Sequence, residues 1–459
     1  MASPTVPAAA PLTDRFAAFS DDLENLPAGI MTTAARIFRH NLLVALAARP
    51  MRVPGACDEP WPEGLPRQAR ARRLSDCEVV PAERAVLSNA LLMGARAQHD
   101  EVPGAISHFG STVIPPLLAA AEQRTTSGTE FLTALVIGYE IAERLGRATV
   151  DHVRSRGFRP TGIFGPIAGA AAASRIRSLR GSEFASALAL AANMSAGLSE
   201  TWRSGTDEWT YQTALAARSA HTAAELAARG VQGSRNTFEA PHGFIRAFAG
   251  AQDLSLSMED LGSRWATADV VLKLYPVCVF NQAVVQQVVW LRDRLAGPVE
   301  SIEIKMHPRD AEYPGVDNPN PAPRQASALM SAQLCAAIAA VNGTVDVPSL
   351  SAPPTDEVQH LARTTTLVRD TAVPSHGAAV TLKSADGVHH VAPPSIATMD
   401  ETTLRHSYEA LYPLMGISMS QFSTLLDLPD DLASYRDILD VYRVVAPTAS
   451  RAHEEGAGR

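Results

Sequence analysis

The chain has 459 residues, 46% of them apolar and 19% charged, with a formal net charge of −8. That length is large for one hydrophobic core and predicts two domains. The acidic balance speaks against nucleic acid or an anionic membrane as partner, since either favours a basic face, and leaves open a local basic pocket for a small anion. The cysteines Cys57, Cys77, Cys278 and Cys335 are widely spaced with no CxxC, and read as reduced, mostly buried thiols of a cytoplasmic protein. The opening MASPTVPAAAPLTD lacks a basic segment followed by an apolar run, so it is not read as a secretory signal; residues 1–14 are expected to form a disordered tail.

From residue 15 onward the pattern is helical, most clearly in MTTAARIFRHNLLVALAARP. The Pro-, Gly- and Arg-rich stretch from Met51 to Arg70 is a loop, after which Pro81 is placed at the first position of a helix. HDEVPGAISHFG is a turn-rich polar loop, followed by helices in TVIPPLLAAAEQ and TEFLTALVIGYEIAERLGRAT. DHVRSRGFRPTGIFG is expected to be irregular, and PIAGAAAASRIRSL to be a helix that neighbours approach closely. SEFASALALAANMSAG is helical and too mixed to span a membrane. The polar loop SETWRSGTDEWTYQ then precedes a long helix that Gly230 stops. The character changes near residue 270. VESIEIKMHP alternates as a strand, SALMSAQLCAAIAAVNG is helical, and TTTLVRDTAV and AVTLKSADGVHH read as strands, before a helical return in LRHSYEALYPLMG and LASYRDILDVYRVV. The expected architecture is mainly α: a helical domain over residues 15–268, a smaller α+β lid over 269–402, C-terminal helices over 403–447 that return to the first domain, and a tail from 448.

Candidate chemistry gathers at loops. His99, Asp100, Glu101, Ser107 and His108 place imidazoles and carboxylates, the groups that move protons near neutral pH, just before a helix whose first amides could hold an anion. A solvated surface loop is the alternative. No HxxxH or HExxH spacing supports a metal, and no GxGxxG supports a dinucleotide, so neither metal nor organic cofactor is expected. Arg154, Arg156 and Arg159 precede a glycine-rich helix and could pair with carboxylate, or form an exposed basic turn. Arg203, Trp202, Trp209 and Tyr211 suit pocket lining or subunit packing equally. Lys273 and Tyr275 lie at the domain boundary, where small ligands often bind; Cys278 has no neighbouring histidine and reads as a buried thiol.

In order, NALLMGARAQHD, SHFGSTVIPPLLAAAE, GFRPTGIFGPIAGAAAASRI, SGTDEWTYQTALAARSAHTAAELAARGVQG, FEAPHGF and KLYPVCVFNQAVVQQVV resemble the motif series of the MmgE/PrpD family, over about residues 15 to 440. The resemblance implies a helical domain with an α+β lid, a homodimer, and cofactor-free chemistry on small polycarboxylates. The family's activities are dehydration of 2-methylcitrate, decarboxylation of cis-aconitate and epimerisation of iminodisuccinate, which share a proton moved at a carbon next to a carboxylate.

The motif histidine matches His108 and the boundary lysine matches Lys273. The family's first-loop Asp falls near Gln98 and its Thr near Val102. Its second-motif His is Arg159, the Lys of its Gly-Thr segment is Trp209, its later His is Cys278, and its lid Tyr falls near Leu334. The expected catalytic set is therefore His108, Lys273, Asp100 and His99, with Arg159, Arg203, Trp209, Tyr275 and Ser107 binding a small anionic carboxylate that has fewer carboxylates and an apolar portion. Dehydration, decarboxylation, epimerisation, a cyclase-type reaction and an inactive scaffold all remain open on these residues.

Overall fold

The computed structural model describes residues 10–51, 53, 66, 69–250, 258, 260–295, 297–384, 387–390 and 399–448. Its N-terminal part is α1 (Leu12–Asp22), α2 (Ala28–Ala47), the short antiparallel pair β1 (Arg70–Arg72) and β2 (Val79–Pro81), α3 (Ala82–Ala95), α4 (Phe109–Ala121), α5 (Gly128–Ser155), α6 (Pro160–Ile176), α7 (Gly181–Asn193), α8 (Thr201–Ser204), α9 (Glu208–Ala228) and α10 (Phe244–Ala249). Helix α1 begins inside the segment expected to be a tail, and Asp14 pairs there with Arg235. Pro81 caps α3 one residue before the position expected for it. Helix α5 starts on a reciprocal cap between Ser127 and Glu130 and runs on through Asp151–Ser155, because Val150 and Val153 continue its buried stripe. It thereby takes in the first five residues of a stretch expected to be irregular.

Helices α4, α5, α6 and α9 form the centre. A Cβ on Gly169 would lie 2.4 Å from the carbonyl oxygen of Thr112, and one on Gly138 would lie 2.5 Å from that of Ala168. Glycine at these crossings brings backbones into contact, as the Ala/Gly-rich composition of α6 predicts. Helix α9 ends on Gly230, whose φ of +84° is open to glycine at low cost.

After residue 278 come α11 (Val279–Arg292), β3 (Val299–Met306), α12 (Pro308–Ala311), α13 (Gln325–Ala328), α14 (Ala332–Asn342), α15 (Val347–Ser351), α16 (Asp356–Thr364), β4 (Thr366–Arg369), β5 (Ala379–Ser384) and β6 (Gly387–His390). The strands form one mixed sheet in the order β4-β3-β5-β6, with β3 parallel to β4 and antiparallel to β5. The helix expected over 327–343 is broken at Ser331, whose hydroxyl caps α14. Helices α17 (Glu401–Leu411), α18 (Met419–Asp431) and α19 (Val441–Val445) close the chain, and α17 and α18 pack on α2. There Glu401 accepts two hydrogen bonds from the buried Arg39, at 2.6 and 2.9 Å. The molecule is thus mainly α, with a large helical part and a smaller α+β part. Among the described residues no helix is long and apolar enough to cross a membrane. Cys57 lies outside the described residues; Cys278 and Cys335 are free and buried, and Cys77 is free and partly buried.

Candidate active site

Between the helical and the α+β parts lies a narrow cavity with about 30 Å³ of free space. The loop between α3 and α4 supplies His99, Glu101 and His108; Arg159 caps α6; Trp202 and Trp209 come from α8 and α9. Lys273 enters from the segment before α11, and Cys278, Phe280 and Tyr313 enter from the far side. The space holds about one or two waters and no more.

The loop is the central surprise. Its polarity suggested solvent, yet His99, Asp100, Glu101 and Ser107 are all buried. Two of its non-glycine residues, Ala97 and Ile106, have φ of +53° and +46°, the kind of backbone strain that a well-determined surrounding holds in place. The surroundings do so by pairing Glu101 with Val271 in an antiparallel bridge, at 2.8 and 2.9 Å, and by the Gln98 amide, which donates to Leu274 at 2.7 Å. Behind it, the His40 ring lies 2.8 Å from the Gln98 carbonyl and 3.0 Å from the Tyr408 hydroxyl, so α17 braces the loop through α2.

His108 places Nδ1 2.7 Å from Glu101 Oε2 and 2.9 Å from the Asp100 carbonyl. Both neighbours are acceptors, so Nδ1 carries the proton and the neutral ring keeps its lone pair on Nε2. Burial, reinforced by the Lys273 charge, lowers the His108 pKa. The edge of His99 meets this ring at 4.1 Å between centroids, and burial and His108 hold His99 neutral. Glu101 is pushed up by burial but pulled further down by His108 and Lys273, so it is ionised. Lys273 donates to the Ala97 carbonyl at 3.0 Å, and burial lowers its pKa. Arg159, lowered to about 10 by burial, donates through Nη1 to the Trp209 carbonyl and to Gln212. Its guanidinium lies 4.8 Å from the Trp202 ring centroid.

The cavity thus joins His99, His108, Lys273, Arg159 and Trp209 from the expected set. It does not join Asp100, Ser107, Arg203 or Tyr275. The Asp100 carboxylate accepts from the Tyr139 hydroxyl at 2.7 Å and from the Gly110 amide at 3.0 Å. It therefore occupies the first turn of α4, where an anionic ligand was expected. Ser107 donates to the Ala105 carbonyl at 2.9 Å. Arg203 is exposed beside its buried neighbour Trp202, and the backbone of Tyr275 is held by Gln282. Sequence reasoning noted Glu101 without giving it a role, and it passed over Thr161 and Tyr313. Helical spacing gives no hint of Tyr313, which α12 turns inward. Leu334, near the family's lid tyrosine, does not line the cavity, so among the described residues Tyr313 is its only phenol.

Beside Tyr313, charge ties the end of α5 to α12. Arg154 at the end of α5 donates to the Arg309 carbonyl at 2.6 Å and lies 5.1 Å from the Tyr313 ring centroid, while Arg309 reaches back to Asp151 at 2.9 Å. A larger hollow of about 750 Å³ opens beside β1, β2 and α19. Two of its three arginines are paired, Arg72 with Glu122 and Arg443 with Asp440, and among the described residues no histidine lines it, so the proton-transfer chemistry converges on the smaller cavity. Among the described residues no group of three or more His, Cys, Asp or Glu is arranged to hold a metal.

A large helical body and a smaller α+β part are the architecture that the motif series implies. The chain belongs to the MmgE/PrpD family: residues 15–257 match the MmgE/PrpD N-terminal domain. It is 30% identical over 214 residues to a cis-aconitate decarboxylase-like protein of Aspergillus oryzae, covering 43% of this chain and 44% of that one. It is 26% identical over 238 residues to the cis-aconitate decarboxylase of Aspergillus terreus, covering 49% of this chain and 45% of the other. The match spans less than half the length of each of these relatives.

Proposed function

We propose that this chain is a cofactor-independent lyase that acts on a small carboxylic acid by removing a proton from the carbon next to the carboxylate. The observation that carries this reading is the His108–Glu101 contact of 2.7 Å inside a cavity shared with Lys273 and Arg159. His108 is the base, acting through Nε2. Glu101 fixes its tautomer and orientation and stabilises the imidazolium once the proton arrives. Lys273 and Arg159 hold the carboxylate and spread the charge that develops on it. In the dehydration we favour, the C–H bond breaks and its proton passes to Nε2. The electron pair forms the carbon–carbon double bond, and the C–O bond of the β-hydroxyl breaks. The leaving oxygen takes the proton back from His108 and departs as water, so the base is regenerated. The decarboxylase names of the two fungal relatives support carboxylic acid chemistry at a related site. The reading extends to a cytoplasmic homodimer. The free thiols of Cys77, Cys278 and Cys335 and the family resemblance support it, and light scattering of the purified chain tests the dimer.

The direct test follows the α-proton by NMR in deuterated water, with a panel of mono-, di- and tricarboxylic acids. Exchange on one panel member should fall at least about a hundredfold in His108→Ala. Because the His108 pKa lies below its usual 6.5, the base stays unprotonated, and exchange should persist, below that pH. Equal exchange in wild type and variant, or none with any acid, would sink the proposal.

A further inference from the structure

Five buried polar atoms of cavity-lining residues have no hydrogen-bond partner among the described residues: Nδ1 and Nε2 of His99, Oε1 of Glu101, Nη2 of Arg159 and Nε1 of Trp202. Leaving such an atom unpaired costs about 1–3 kcal/mol, so a fold that gathers them in one place holds a standing requirement for a ligand. About 30 Å³ of free space admits one or two waters in this conformation.

The requirement has a chemical pattern. Arg159 Nη2 and Trp202 Nε1 can only donate, Glu101 Oε1 can only accept, and neutral His99 offers one of each. A ligand carboxylate answers the donors and Lys273. It cannot answer Glu101, whose negative charge would repel it. Charge balance agrees: among the described residues Lys273 and Arg159 oppose one lining anion, Glu101, leaving a net charge of plus one on those walls. Arg159 also cannot clamp a carboxylate with both Nη groups, because Nη1 is held by the Trp209 carbonyl and Gln212. The remaining wall is largely apolar, with Trp202 and Trp209 5.8 Å apart between ring centroids.

We propose that the cavity recognises an acid with one carboxylate, which lies against Lys273 and Arg159, and a hydroxyl that donates to Glu101 Oε1, with an apolar flank on Trp202 and Trp209. This assignment rests on the reading of the cavity as the active site, and it separates the chain from a site built for a tricarboxylate.

The test is calorimetric titration of the full chain with 3-hydroxy-3-phenylpropanoate, with 3-phenylpropanoate, which lacks only the hydroxyl, and with citrate. Wild type should bind the hydroxy acid about ten- to a hundredfold more tightly than its deoxy partner, the range expected of a hydrogen bond to a charged acceptor. That ratio should collapse toward unity in Glu101→Gln. In Trp202→Phe, which keeps an aromatic ring but loses the donor, both acids should weaken by a similar factor and the ratio should survive. Equal binding of the two phenyl acids to wild type, tighter binding of citrate, or no binding of the hydroxy acid would each overturn the proposal. If the ratio holds while the α-proton never exchanges, the ligand class stands and the lyase reading fails. If citrate exchanges its proton while the hydroxy acid does not bind, the lyase reading stands and the ligand class fails.

Discussion

Two buried ionic clusters sit at similar depth in this molecule and are finished differently. In the first, on α5, Glu140 accepts from the Thr267 amide and hydroxyl and, at 3.1 Å, from Arg144; Glu143 accepts from Arg264 at 3.1 and 3.2 Å. Among the buried side-chain atoms of these residues only Arg144 Nε lacks a partner. In the second, at the cavity, five such atoms lack one. Both clusters carry desolvated charge, but among the described residues the first is completed to within one atom and the second leaves five open. Completed pairing marks charge that serves the architecture, and incomplete pairing marks charge held for something else.

The comparison can be broken in three places. Replacing Arg144 with alanine leaves the buried Glu140 without its cation and should cost about 3–5 kcal/mol in urea unfolding; a loss near zero would show that this cluster is not structural. The second place is Asp100, which adjoins Glu101 yet belongs with the completed groups. Burial raises its pKa to about 6 from 3.8. A raised acid binds its proton more tightly in the folded state. The stability it supplies is therefore full below pH 3.8 and is lost as pH climbs through about 6, roughly 3 kcal/mol in all. Across that window wild type should lose stability relative to Asp100→Asn, and parallel profiles would show an ordinary carboxylate. The smallest effect is expected at Glu101→Gln, which should shift stability by under about 1 kcal/mol, because one oxygen of the native carboxylate is unused. The same substitution should redistribute the His108 tautomer, read by imidazole nitrogen NMR. An unchanged tautomer would remove Glu101 from its orienting role.

Periodicity and motif order made the architecture legible. The β3 alternation, the Gly230 stop and the close helix crossings are properties of neighbours along the chain, and so is the placement of His108 directly before α4. The site was half legible. His108, Lys273 and Arg159 announce themselves by motif and chemistry. Asp100 and Glu101 have similar side chains in adjacent positions, and only the folded loop, turned by Ala97 and Ile106, sends one toward Tyr139 and the other toward His108. Tyr313 reaches the cavity from far along the chain, a relation that no local pattern encodes. Arg203 and Trp202 show the reverse problem: adjacency in sequence put them together, and helix α8 points one outward and one inward.

The charged tie between α5 and α12 has a kinetic consequence, because α12 leads into Tyr313 on the cavity wall. For a ligand that must displace Tyr313, the association rate should level off with concentration at the frequency with which Arg154 and Asp151 release Arg309. The measured affinity is then the intrinsic one scaled by the fraction of time spent open. Added salt screens that exposed pair more than the buried charges within, so a moderate rise in ionic strength would hasten entry while leaving the grip inside nearly untouched.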